Sequence, residues 1–183
     1  MSSFLEQIKT QTEILFLNIS DQLDTANLEY EYNNLNNSRY IFHYLHSLDK
    51  FFIDPTKYVY DETKALGIPE NLSVIAEKKA GYEVAEGFVI PREKLHMYFE
   101  SIKRKIYCYL NEMDDIKLLE KPENYSYTRF ELILGQYRHF MWHVGLSSAI
   151  TFLADGHGTK YTGLVKFAAP EIGNLKTDHE KMV

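Results

Sequence analysis

The chain has 183 residues, a formal net charge of −6 and a pI near 5.6. This acidic balance argues against sequence-independent nucleic-acid binding and against a basic membrane-surface helix, because both depend on clustered Lys and Arg. The single cysteine rules out an internal disulfide and a thiolate cage around a metal ion.

The length suits one domain over residues 1–183, with 159–183 as a C-terminal extension. The first residues lack a basic stretch followed by an apolar run, so we expect no signal peptide. No stretch approaches the roughly 18 consecutive apolar residues of a membrane span. Together with the low cysteine content, these features predict a cytoplasmic protein with neither nucleic acid nor membrane as a partner.

Helical periodicity dominates the first part of the chain. Apolar residues recur at spacings of three and four from Ser3 to Ala26, which predicts the first helix. The polar stretch 33–38 interrupts the pattern, because Asn and Ser favour turns and caps. A second helix is predicted from Arg39 to Ile53. It ends before the Asp54-Pro55 pair, since the residue preceding proline disfavours helical backbone.

The long connection 58–90 holds several glycines and is expected to contain a short helix near 71–79. A connection of this length usually has a role such as covering a site. Proline suits a first helical turn, so a third helix is predicted over 91–114. Cys108 on that helix is expected to be a small buried apolar residue.

After a polar linker, a fourth helix is predicted from Thr128 to Ala154, ending at a glycine-containing turn. The tail could form a short strand or extended arm over 161–168. No strand pattern is strong enough for a sheet of any size. Four long helices with a long connection between the second and third therefore predict an all-α fold, a four-helix bundle.

Histidine spacing gives the candidate metal ligands. His139 and His143 on the fourth helix are four residues apart, about 400° around the helix, and therefore share one face. The zinc protease helix uses the same spacing, but here no Glu follows the first His. His43 or His46 on the second helix could add a third nitrogen. Three protein ligands would leave an open position, as in catalytic metal sites.

Two segments resemble the DinB/YfiT-like superfamily of four-helix bundles: FHYLHSLDKFF in the second helix and RHFMWHVGLSSAI in the fourth. Its motif combines one helix-two histidine with His-x-x-x-His-x-Gly on helix four. The resemblance implies that His139 and His143 are metal ligands. It also implies His43 as the third, because the family places this histidine six residues before an acidic position, here Asp49. His46 is the alternative ligand, or a neighbour of the site.

The resemblance also implies a function. We expect a divalent metal ion, nickel or zinc, and a metal-dependent enzyme acting on a small molecule. The reaction could be transfer of the sulfur of a low-molecular-weight thiol onto a small electrophile. The alternatives are a metal-dependent hydrolase and a non-catalytic helical bundle that binds a ligand or partner. The resemblance further implies a homodimer. No residue is an evident general base, so no catalytic side chain is assigned.

Several neighbouring residues have two interpretations. Asp49 could orient a ligand histidine, as outer-shell carboxylates do, or be an ordinary helix-surface charge. Gln136, three residues before a predicted ligand, could face the same cavity. Arg138 is expected to point away from the predicted metal site. Trp142 is expected either to line a pocket or to pack against other side chains. The remaining histidines are not expected to bind metal: His96, His157 and His179.

Overall fold

The computed structural model describes residues 3–75 and 87–163, and the fold of these ranges is predominantly α-helical. Its six α-helices are α1 (Phe4–Thr25), α2 (Asn37–Phe51), α3 (Glu62–Ala65), α4 (Arg92–Asn111), α5 (Asp115–Leu119) and α6 (Arg129–Asp155). A 3-10 helix spans Glu70–Ser73. None of the described helices combines the length and the apolar character needed to cross a membrane.

The ends of α1 and α6 lie where the sequence predicted them. The Ser3 hydroxyl accepts a hydrogen bond from the Glu6 amide and caps α1. Thr128 and Glu131 form a reciprocal capping box at the start of α6. At the other end of α6, Gly156 has φ +76°, a left-handed conformation that suits glycine and ends the helix.

The polar stretch between α1 and α2 forms a small hairpin. Strands β1 (Glu31–Tyr32) and β2 (Leu35–Asn36) pair antiparallel, and the two residues between them have positive φ values of 50° and 61°. Such backbone is tolerated by Asn, which occupies both positions. α2 therefore begins at Asn37, two residues before the predicted start, and ends at Phe51 rather than Ile53.

Other short elements differ from the prediction. The helix expected near 71–79 is instead the single 3-10 turn at Glu70–Ser73, and positions 76–79 lie outside the described residues. Helices α3 and α5 were not predicted, and α5 begins where the Asp114 carboxylate accepts from two backbone amides. Of the predicted strand or arm 161–168, residues 161–163 are described and form no strand.

The four long helices enclose a common core. α2 packs along α6 and also contacts α4, while α1 contacts both α4 and α6. Twelve of the 15 residues of α2 are buried, so α2 is an interior helix and its polar side chains need partners within the protein. The largest fully buried side chains of the core come from all four helices: Ile19, Leu23, Phe42, Tyr44, Leu48, Tyr98, Phe99 and Phe140.

The outward face of α6 is unusually apolar. Four large side chains on it are exposed: Met141, Trp142, Phe152 and Leu153. Trp142 is 75% exposed, so the prediction that it walls a pocket or packs in the interior is wrong. Arg138 is exposed, as expected. Cys108 is also exposed, contrary to prediction, because the buried face of α4 passes through Ile106 and Leu110 instead.

Candidate metal centre

Three histidine rings from two helices converge at the α2–α6 interface. One ring nitrogen each from His43, His139 and His143 can be chosen so that all three lie within 4.8 Å of one another. The Nε2 atoms of His43 and His139 are 3.2 Å apart. The His143 ring lies 4.5 Å, centre to centre, from each of the other two rings. The residues singled out in the sequence therefore lie together in the structure.

Helix geometry explains this convergence. His139 and His143 are one turn apart on α6, so their side chains leave the helix on the same face. That face meets α2, where His43 lies opposite the pair. His143 is only 6% exposed, while the other two rings are partly buried. The cluster is consequently largely, but not completely, removed from bulk water.

The tautomer of His43 is fixed by a backbone group. Its Nδ1 lies 2.6 Å from the carbonyl oxygen of Ser73 in the 3-10 helix. A carbonyl oxygen can only accept, so Nδ1 must carry the proton and donate. In the neutral ring, Nε2 then presents its lone pair towards His139. This is the form that a metal-ligating histidine requires, with the second nitrogen held by an acceptor.

The 3-10 helix is held against α2 by hydrogen bonds from α2 side chains. Arg39 is buried and donates from Nε to the Leu72 carbonyl at 3.1 Å and from Nη2 to the Val74 carbonyl at 2.7 Å. His46 Nε2 lies 3.4 Å from a Glu70 carboxylate oxygen. His46 therefore pairs with the connection between α2 and α4, and His43 is the helix-two histidine that reaches the cluster.

Burial keeps the cluster neutral at physiological pH. Removal from water, and to a lesser extent repulsion from the neighbouring rings, together lower the pKa of His139 and of His143 to about 4. The pKa of His43 is also lowered by burial, although its hydrogen bond to Ser73 opposes that change. Neutral imidazole is the state that binds a metal ion, so little proton competition is expected near pH 7.

The donor set fits a divalent transition-metal ion. Two nitrogens bound tetrahedrally at roughly 2.0–2.1 Å would be roughly 3.3 Å apart, and the observed Nε2 separation is 3.2 Å. Imidazole nitrogens suit zinc, nickel, copper and iron rather than the oxygen-seeking magnesium and calcium. The Nδ1 atoms of His139 and His143 are buried without a hydrogen-bond partner among the described residues. An ion held through the Nε2 atoms would leave these two Nδ1 atoms without a partner in the described ranges, so they are not themselves evidence for the ion.

Asp49 lies elsewhere, and both interpretations of it are wrong. Its carboxylate is buried, 7% exposed, and accepts from the Tyr98 hydroxyl at 2.9 Å and from Lys105 Nζ at 2.8 Å. Lys105 also contacts Glu62 at 3.2 Å. Asp49 therefore joins α2 to α4 instead of orienting a ligand histidine, and the orienting group is the Ser73 carbonyl.

Further polar pairs continue along the α2–α6 interface on either side of the histidines. Towards the C-terminal end of α2, the Ser47 hydroxyl donates to Gln136 Oε1 at 2.9 Å. Towards its N-terminal end, Asn37 Nδ2 donates to the carbonyl of Ser147 at 3.2 Å. The sequence had singled out Gln136 but not Ser47, Asn37 or Ser147.

Comparison of the chain with family models, with curated proteins and with solved structures gives no match in any of the three searches. The evidence for the helical fold and for the histidine cluster is therefore the structure of this chain alone. The resemblance of its two histidine segments to the DinB/YfiT-like superfamily stays a prediction.

Proposed function

We propose that this chain is a metalloenzyme of the DinB/YfiT type that binds one nickel or zinc ion through His43, His139 and His143. In this proposal α1, α2, α4 and α6 are the helices of a four-helix bundle, and the long connection follows α2. Two observations support it: the helix order with its packing, and the meeting of one α2 histidine with an α6 pair.

The observation that carries the proposal is the convergence of three neutral imidazoles, one with its tautomer fixed by Ser73. Three protein nitrogens leave an open coordination position, which is typical of catalytic rather than structural sites. A bound ion would supply Lewis acidity there and lower the pKa of water or of a small thiol at the open position. The protein's own contribution is to hold the rings, keep them unprotonated and limit water access.

The reaction that we favour joins a low-molecular-weight thiol through its sulfur to a small electrophile: the thiol gives up its proton to solvent, a carbon–sulfur bond forms, and the electrophile's leaving group departs as an anion. Such a transfer draws its nucleophile from solution and needs no nucleophilic side chain beside the imidazoles. We assign no general base, because the carboxylates of Asp49 and Glu70 are engaged by Lys105 and His46 respectively. A hydrolase would use the same three ligands with water as the nucleophile.

Metal binding is the first test. Chelator-treated protein would be titrated with zinc and with nickel by calorimetry. We expect one ion per chain, and an affinity at least roughly 100-fold weaker in His139→Ala, since loss of even an outer-shell partner costs 10–100-fold. The matched control is His157→Ala, which removes an exposed histidine in the turn after α6. Equal binding by wild type and His139→Ala would contradict the proposed site.

Activity is the second test. The metal-loaded protein would be assayed with a panel of small thiols and chlorodinitrobenzene as the electrophile, and separately with nitrophenyl esters. Thiol-dependent turnover that is lost in His139→Ala supports the transferase, whereas ester cleavage without thiol assigns a hydrolase. Stoichiometric metal without either reaction would favour the non-catalytic ligand-binding bundle.

The oligomeric state proposed with this function is a homodimer. The exposed apolar side chains Met141, Trp142, Phe152 and Leu153 of α6 support it, since large exposed apolar side chains grouped on one helix face often mark an interaction site.

A further inference from the structure

One polar pair lies directly beside the histidine cluster and has no role in holding the metal. Gln136 is three residues before His139 and seven before His143, which places it roughly 60° and 20° from them around α6. Ser47 is one turn beyond His43 on α2. The two side chains meet across the helix interface, where the Ser47 hydroxyl donates to Gln136 Oε1 at 2.9 Å.

This hydrogen bond orients the amide of Gln136. Because Oε1 accepts from Ser47, the two N–H donors on Nε2 must point elsewhere. Within residues 3–75 and 87–163, Nε2 makes no hydrogen bond to any group. Gln136 is 8% exposed as a residue, but its Nε2 is not among the fully buried side-chain atoms that lack a partner, so this amide can donate to water or to a bound ligand.

We infer that Gln136 is a positioning residue for the ligand of the open coordination position, donating from Nε2 to its acceptor atom. The inference rests on the proposed function. The ligand class follows from the donor: a small anion or thiolate with a lone pair directed at the amide, rather than a cation. Ser47 contributes by holding Oε1, which leaves Nε2 as the end of the amide that is available to that ligand.

The experiment uses the full chain loaded with cobalt(II), whose visible absorption reports both ion binding and entry of a further ligand. Azide is the probe anion. Wild type, Gln136→Leu and Ser47→Ala would each be titrated first with cobalt and then with azide. Gln11→Leu, which changes an exposed glutamine on α1, is the matched control.

We expect all four proteins to bind cobalt with the same affinity, since neither Gln136 nor Ser47 is a ligand. Azide affinity should fall roughly tenfold in Gln136→Leu, the effect of one hydrogen bond to a charged acceptor. In Ser47→Ala it should fall roughly threefold, because the amide is then free to rotate. The control should match wild type.

A purely structural role for Gln136 would lower thermal stability without changing azide affinity, and that result would overturn the inference. Cobalt bound normally with unchanged azide affinity would therefore refute the positioning role alone. Absence of cobalt binding in wild type would refute the proposed metal site and the inference with it. If Gln136→Leu does not fold, azide affinity in Ser47→Ala decides the question.

Discussion

Replacing His143 should change how the stability of the metal-free protein depends on pH. The residue is almost fully buried, and burial, with smaller contributions from repulsion by His43 and His139, lowers its pKa from 6.5 to about 4. The unfolded ring, with a pKa near 6.5, takes up a proton first as the pH falls. The folded-state stability is therefore complete above about pH 6.5 and decreases as the pH falls towards 4.

The size of the effect follows from the shift. At about 1.36 kcal/mol per pKa unit, the full lowering of the His143 pKa corresponds to about 3 kcal/mol of stability. Allowing for partial solvent access to the cluster, we expect wild type to lose about 2 kcal/mol relative to His143→Gln between pH 7 and pH 4.5. Glutamine is neutral at both pH values, so carboxylate titrations elsewhere cancel in the comparison.

The assay is urea denaturation in the presence of a chelator, repeated at several pH values for both proteins. The free energy of unfolding of wild type minus that of His143→Gln should fall steadily as the pH is lowered. His157→Gln, at an exposed position, should follow wild type at every pH. Parallel curves for wild type and His143→Gln would show that the buried ring is not held neutral by its surroundings, and would refute the argument.

Three further changes test other parts of the structure. Asp49→Asn should reduce the free energy of unfolding by about 1–2 kcal/mol, because Lys105 keeps Glu62 as a partner, while zinc affinity by calorimetry stays unchanged. Altered zinc affinity would restore Asp49 as an orienting group. Thr128→Ala removes the capping box of α6 and should cost about 1 kcal/mol in urea denaturation. Trp142→Glu should convert the proposed homodimer to a monomer in sedimentation velocity, and an unchanged mass would exclude the α6 face as the interface.

The parts of the fold that could be predicted are those encoded locally. Apolar spacing and caps are properties of a few neighbouring residues, so α1 and α6 were placed within a residue or two at each end. The pairing of His139 with His143 is equally local, since four residues on one helix determine it. Local spacing could not identify the third histidine. The resemblance pointed to His43, and the packing of α2 on α6 brings His43 next to His139 and His143.

What could not be predicted depends on contacts between distant segments. The acceptor for His43 is a main-chain carbonyl. Every residue has such a group, so the residue type at position 73 does not reveal it. Asp49 looked like a candidate partner for a histidine because of its position on α2, but its partners come from α4. Cys108 was misplaced because a small apolar residue fits either face of α4, and its neighbours at 106 and 110 face the core instead.

The use of a main-chain acceptor at Ser73 has an evolutionary consequence. No side-chain replacement at position 73 can delete that carbonyl, so the bond to His43 does not draw on any atom of the serine side chain. Selection would act instead on Arg39, whose guanidinium holds the carbonyls of Leu72 and Val74 on either side. A single exchange at Arg39, four residues before His43, would therefore loosen the acceptor of that ring while leaving all three histidines in place.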